Sequence, residues 1–167
     1  MEYQKLENGE NQGKLEFLVK ESSKTYVIDA SVSIKWFSFK DEDDVSKASS
    51  LRTQHMNKNI LLVAPDILVY EVVNALAYNP LFDMEKLNMA VKSLYEMGIE
   101  FIQPYMEILF ESSRLHFFKK ITIYDSIYIA LAKYINAQYI TADEKLFEKV
   151  KGIGSIILLR NYKIFSR

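Results

Sequence analysis

Four carboxylates in this 167-residue chain interrupt apolar stretches: Asp29, Glu71, Asp125 and Asp143. Asp29 closes the run Tyr26-Val27-Ile28. Glu71 lies within Pro65 to Ala77, where Asn74 is the only other polar interruption past the first turn. Asp125 is the only charge from Ile121 to Ala132, and Asp143 follows Tyr139-Ile140-Thr141-Ala142. A charge in apolar surroundings needs a cation, a metal or several hydrogen-bond donors. Acids that converge raise one another's pKa and weaken the fold unless a cation neutralises them. Oxygen-only ligands suit Mg²⁺ or Mn²⁺ rather than zinc. A carboxylate-held Mg²⁺ most often serves chemistry on phosphates.

Each acid also has a plainer use. Asp29 is a good helix cap, although Ser31 can cap a helix carrying Val32, Ile34, Trp36 and Phe37. Glu71 fits a core ion pair or a surface facet. Asp125 suits a helix start, although Thr122 can cap the same helix. Thr141 and Glu144 have capping-box spacing, which puts Asp143 in an ordinary first turn. Recurrence weighs against coincidence: four acids share the setting of strand ends and helix starts, where open α/β sheets bind ligands.

Those positions depend on the elements around them. Short apolar runs at Tyr26–Ile28, Ile60–Val63, Ile99–Gln103, Gln138–Thr141 and Ser155–Leu159 read as buried strands. Helical patterns separate them. One is polar and lies within Asp41–Lys58. One starts at Pro65, and one spans residues 83 to 97 with Met84, Leu87, Val91 and Leu94 on a single face. Further helices run from Pro104 to about Lys119, from Tyr124 to Ile135, and after Thr141 to about Val150. Strands alternating with helices predict a parallel sheet covered on both faces. Within the helix after Pro65, Glu71 and Asn74 are three apart and share a face. Met1–Lys24 is the least committed segment, and Leu15–Val19 reads as an edge strand or a helical turn.

At these residues the chain resembles the PIN domain, and within it the VapC-type toxin ribonucleases. Val27-Ile28-Asp29-Ala30-Ser31, Glu71 with Asn74 and Leu76, Tyr124-Asp125-Ser126 and Thr141-Ala142-Asp143 carry the likeness, which spans about Lys24 to Leu159. The resemblance implies a three-layer α/β fold, with a central parallel sheet of about five strands flanked by helices. It divides the chain into an extension, residues 1–23, and a nuclease domain, residues 24–167. It assigns Asp29, Glu71, Asp125 and Asp143 to an acidic Mg²⁺ or Mn²⁺ site, with Ser31, Asn74 and Thr141 supporting them. It further implies endoribonuclease activity leaving a 5′-phosphate and a 3′-hydroxyl, a homodimer, and inhibition by a cognate antitoxin. The chain departs from the family in its extension and in carrying serine, not alanine, at Ser126.

Composition narrows the classes. At 49% hydrophobic and a net charge of −1, the chain is an ordinary globular domain, not a basic nucleic-acid coat. With no cysteine it has neither disulfides nor thiolate metal sites, which is compatible with a reducing, cytoplasmic setting. No apolar run approaches the roughly 20 residues that span a bilayer, and the start does not read as a secretion signal.

Other chemistry has less support. Neither His55 nor His116 sits at a strand end, so a paired-histidine ribonuclease is disfavoured. The glycines form no phosphate-cradling loop. The run Asp41-Glu42-Asp43-Asp44 reads as a solvated helix start. Arg114, Lys119 and Lys120 suit either an RNA backbone or a solvated helix end. The 11 tyrosines, 10 phenylalanines and Trp36 are expected in the core or a dimer interface. The main alternative is a PIN-like module that binds RNA or protein without cleaving. A phosphatase is a weaker rival, because Asp29-Ala30-Ser31 lacks the second Asp expected close to such a nucleophile.

Overall fold

The computed structural model describes residues 12–15, 24–38 and 43–163. Asp41, Glu42 and most of the leading segment lie outside the described residues, as does 16–19 of the stretch read as a strand or helical turn. Residues 12–15 form a helical turn.

Five parallel strands build one sheet in the order β3-β2-β1-β4-β5. They are β1 (Thr25–Ile28), β2 (Leu61–Pro65), β3 (Glu100–Ile102), β4 (Gln138–Thr141) and β5 (Ile156–Leu158). Val27 and Ile28 are consecutive, as are Leu62, Val63 and Ala64, and all five are fully buried. Burial without alternation means that both faces of the central strands are covered. The chain builds outward from β1 through β2 to β3, then returns to the other side of β1 for β4 and β5. The direction reverses between β1 and β4. The crevice at the carboxyl ends there is where open α/β sheets bind ligands.

The helices are α1 (Ala30–Ser33), α2 (Val45–Met56), α3 (Ile67–Ala77), α4 (Met84–Glu96), α5 (Met106–Lys119), α6 (Ile123–Tyr134) and α7 (Glu144–Val150). A single 3-10 turn, Ile34–Trp36, extends α1. Helix α6 is the most deeply set: Ser126 to Ala132 are all buried, and the helix packs on β1, β2 and β4. Trp36 packs in the core and donates through Nε1 to the Ala48 carbonyl at 2.8 Å. No helix among the described residues is long and apolar enough to cross a membrane.

Local details differ from the expected pattern. Pro65 is the last residue of β2 and does not begin a helix. The next donor, Asp66 N–H, completes the ladder by bonding the Ile102 carbonyl at 3.0 Å, so a terminal proline costs the sheet nothing there. Met84 is the first residue of α4 and 79% exposed, while Ala90 and Leu94 carry the buried face. Leu15, in the leading segment, is buried in the core, and Lys14 pairs with Glu100 on β3. The histidines serve local structure. His55 Nδ1 accepts from Leu62 N–H at 3.2 Å, and His116 Nδ1 lies 2.7 Å from the Ile121 carbonyl oxygen.

Candidate active site

Asp29 is delivered to the switch point by β1. Its backbone is extended and its side chain caps α1, with Oδ1 accepting Val32 N–H at 3.2 Å. Asp29, not Ser31, is therefore the cap. Ser31 lies inside the helix, and its hydroxyl is 2.5 Å from Asp29 Oδ1, to which it donates. The same Ser31 oxygen accepts Ala142 N–H at 2.8 Å, tying α1 to the end of β4. The second oxygen of Asp29 accepts the Tyr139 hydroxyl at 2.6 Å. Asp29 is nonetheless 6% exposed, and burial pushes its carboxyl above the usual carboxylate range against the pull of these donors.

Glu71 lies on α3 and is half-buried. Its Oε2 accepts the hydroxyl of Tyr128 on α6. Asn74 is exposed, and the donor on Glu71 is Tyr128 instead. Burial raises the Glu71 carboxyl first; the charges of Asp29 and Asp125 raise it further, while the Tyr128 bond lowers it. The charges of Asp29 and Asp125 thus both reach Glu71. The three acids come from three separate parts of the chain, and no cation is among the causes of either shift.

Asp125 sits in the first turn of α6. Thr122 is the cap: its Oγ1 accepts Asp125 N–H at 3.0 Å, and its hydroxyl donates to Asp125 Oδ2 at 2.7 Å. Asp143 is in a different situation. It follows β4, the neighbour of β1, but is exposed and caps α7, accepting Leu146 N–H at 2.9 Å. Thr141 is not the cap; its Oγ1 accepts Asp143 N–H at 3.0 Å and lies 3.5 Å from Ser31 Oγ. Asp143 is not among the charges that act on Glu71.

Among the described residues, no three His, Asp or Glu side chains converge closely enough to hold one metal ion. Tyr139 takes Asp29, Tyr128 takes Glu71, and Thr122 takes Asp125. The donor set itself suits a hard divalent cation, being oxygen-only, with Asp29 raised by burial and Glu71 raised by burial and by its acidic neighbours. Asp29, Glu71 and Asp125 would hold such an ion.

The two tyrosines were not legible as site residues. Both rings are buried, Tyr128 at 2% and Tyr139 at 0% exposure, so by sequence they resemble the rest of the apolar run. A signal existed. Tyr128 follows Asp125 by one helical turn, and Tyr139 shares a strand face with Thr141. A buried tyrosine needs a partner for its hydroxyl.

Comparison with known proteins places the fold. Residues 26–153 match the sequence model of the PIN domain. Among curated proteins none matches. Among solved structures, PAE2754 from Pyrobaculum aerophilum superimposes with a TM-score of 0.57 at 20% identity, over 82% of this chain and 90% of that one. VapBC2 from Rickettsia felis, bound to a DNA fragment from its promoter, gives 0.59 at 15% identity, over 80% and 98%. A toxin–antitoxin complex from Klebsiella pneumoniae gives 0.57 at 17% identity, over 83% and 99%.

Proposed function

The chain belongs to the PIN-domain family, and on that basis we propose that it is a divalent-metal-dependent endoribonuclease, the toxin of a type II toxin–antitoxin pair. The observation that carries the reading is that Asp29, at the switch point of the sheet, and Asp125, from a third part of the chain, both act on Glu71. A bound Mg²⁺ or Mn²⁺ would orient the scissile phosphate, lower the pKa of a water and offset charge on the leaving oxygen. The side chains contribute position. Ser31 and Val32 N–H hold one oxygen of Asp29. Thr122 fixes Asp125 on the first turn of α6. Asp143, at the next strand end, is the outer member of the set.

Likeness to the Rickettsia and Klebsiella complexes supports an antitoxin as partner. Exposed apolar side chains on α5, with Phe110, Phe117 and Phe118 each at least 65% exposed, support a homodimer formed through that helix. The deciding experiment incubates the protein with structured and unstructured RNA in Mg²⁺, Mn²⁺ or EDTA, beside a generic phosphate monoester. Cleavage of RNA to 5′-phosphate and 3′-hydroxyl ends, abolished by EDTA, is expected, with the monoester untouched. RNA that is retained but never cut in Mn²⁺ would reduce the protein to a binding module.

A further inference from the structure

We propose that Tyr128 and Tyr139 are positioning residues, a stacked pair whose hydroxyls set Glu71 and Asp29 at the spacing from which they take up a divalent cation. The inference rests on the metal-site reading above. Tyr128 on α6 and Tyr139 on β4 lie face to face, with ring centroids 6.1 Å apart and planes 21° from parallel. Each hydroxyl bonds a different acid: Tyr128 donates to Glu71 Oε2, and Tyr139 donates to Asp29 Oδ2. The rings are locked by burial, so the hydroxyls are fixed points. Two acids on separate elements, β1 with α1 and α3, are thereby referred to a single rigid stack.

The stack stands against a definite force. Asp29 and Glu71 repel each other. Without the hydroxyls, Glu71 loses its Tyr128 bond and Asp29 keeps only the Ser31 and Val32 donors at Oδ1, and a cation must then order both against their repulsion. The Tyr128 bond engages only Oε2 of Glu71, so it leaves Oε1 clear of the tyrosine. A phenol donor withdraws some charge from the carboxylate, which opposes cation binding. Orientation outweighs this where repulsion would otherwise scatter the ligands, and outer partners of metal ligands typically change affinity ten- to hundred-fold.

The test uses MnCl2 alone, titrated calorimetrically into the full-length protein. Tyr128→Phe and Tyr139→Phe keep the stacked rings and remove only the hydroxyls. Each is expected to raise the Kd for Mn²⁺ by about ten- to hundred-fold. Tyr162→Phe removes a hydroxyl that faces Gln54, away from the acids, and is expected to leave the Kd unchanged. Melting curves without metal accompany each titration. A lower Tm with a native Kd in both acid-facing variants would make the pair merely structural and overturn the inference. Glu71→Gln separates the two levels. If it weakens Mn²⁺ binding while both tyrosine variants bind normally, the inference fails and the metal site stands. If native protein and Glu71→Gln bind Mn²⁺ alike, the site reading fails and the inference falls with it.

Discussion

Replacing Asp29 by Asn tests the centre of the site with little change of shape. Asn caps helices about as well as Asp. With its oxygen at the Oδ1 position, it keeps the Ser31 hydroxyl at 2.5 Å and Val32 N–H at 3.2 Å. Its amide then faces the Tyr139 oxygen, which can accept. What is lost is charge assistance in the remaining bonds, about 1 kcal/mol apiece. What is gained is relief from burying a charge beside Glu71. These terms oppose each other, so metal-free stability should change by no more than about 1 kcal/mol, or about 2–4 °C in Tm for a chain of this size. The response to metal should differ far more. At a hundred times Kd, a ligand of the folded state adds about 2.7 kcal/mol, which is about 5–10 °C of Tm. Native protein should show that gain in Mn²⁺, and Asp29→Asn almost none. The pH trend has a definite sign. Asp29 has a folded pKa above its unfolded one, so its contribution is complete below an unfolded pKa of about 3.9 and is lost as pH rises through the folded value. Native Tm should therefore fall relative to the variant as pH is raised from about 4 towards 8. Thermal melts at several pH values, with and without Mn²⁺, read all of this. A variant that gains as much as native protein from Mn²⁺, or that loses far more than 4 °C without it, would refute the reasoning and make Asp29 a structural cap.

Asp143→Asn should melt like the native protein, because the α7 cap survives, and should reduce RNA cleavage less than Asp29→Asn does; an equal or larger loss of cleavage would move Asp143 to the centre of the site. Glu111 is held at about 2, first by Arg114 and then by Lys133, so its contribution is present above an unfolded pKa of about 4.3 and is lost as pH falls through about 2. Glu111→Gln should lower Tm slightly at pH 6, and the difference should shrink as pH falls from about 4 towards 2, as melts across that window would show. Phe117→Glu on α5 should convert a dimer to a monomer by light scattering at micromolar concentration without lowering the Tm of the monomer, since the side chain is 67% exposed.

The fold was legible because the strands announce themselves. Runs such as Val27-Ile28 and Tyr139-Ile140 are short, apolar and uninterrupted, and every predicted strand appears in the sheet. Boundaries were less so. Pro65 reads as a helix start, and the bond from Asp66 to Ile102 that makes it a strand end joins residues far apart in sequence. The acids were visible because charge is conspicuous in apolar segments. Their relation to one another was only partly so: the charges of Asp29 and Asp125 both reach Glu71, whereas Asp143 spends its carboxylate on α7. The resemblance implies Asn74 as a support for Glu71, and helix spacing puts the two on one face, but neither signal points to α6. Tyr128 reaches Glu71 from that other helix, and pairing across elements is what a one-dimensional pattern does not carry.

The order in which the acids appear along the chain has a consequence for when the protein can act. Positions 29, 71 and 125 enter the growing polypeptide at widely separated moments. A nascent chain that ends before α6 has only two of the three acids. It also lacks both tyrosines, because Tyr128 and Tyr139 belong to the last quarter of the sequence. Seating α6 on β1, β2 and β4 therefore closes the core and completes the acid cluster in a single event. Prematurely released fragments would be inert, however much of the sheet they had formed. On the nuclease reading proposed above, the chain stays silent through most of its synthesis, by topology alone.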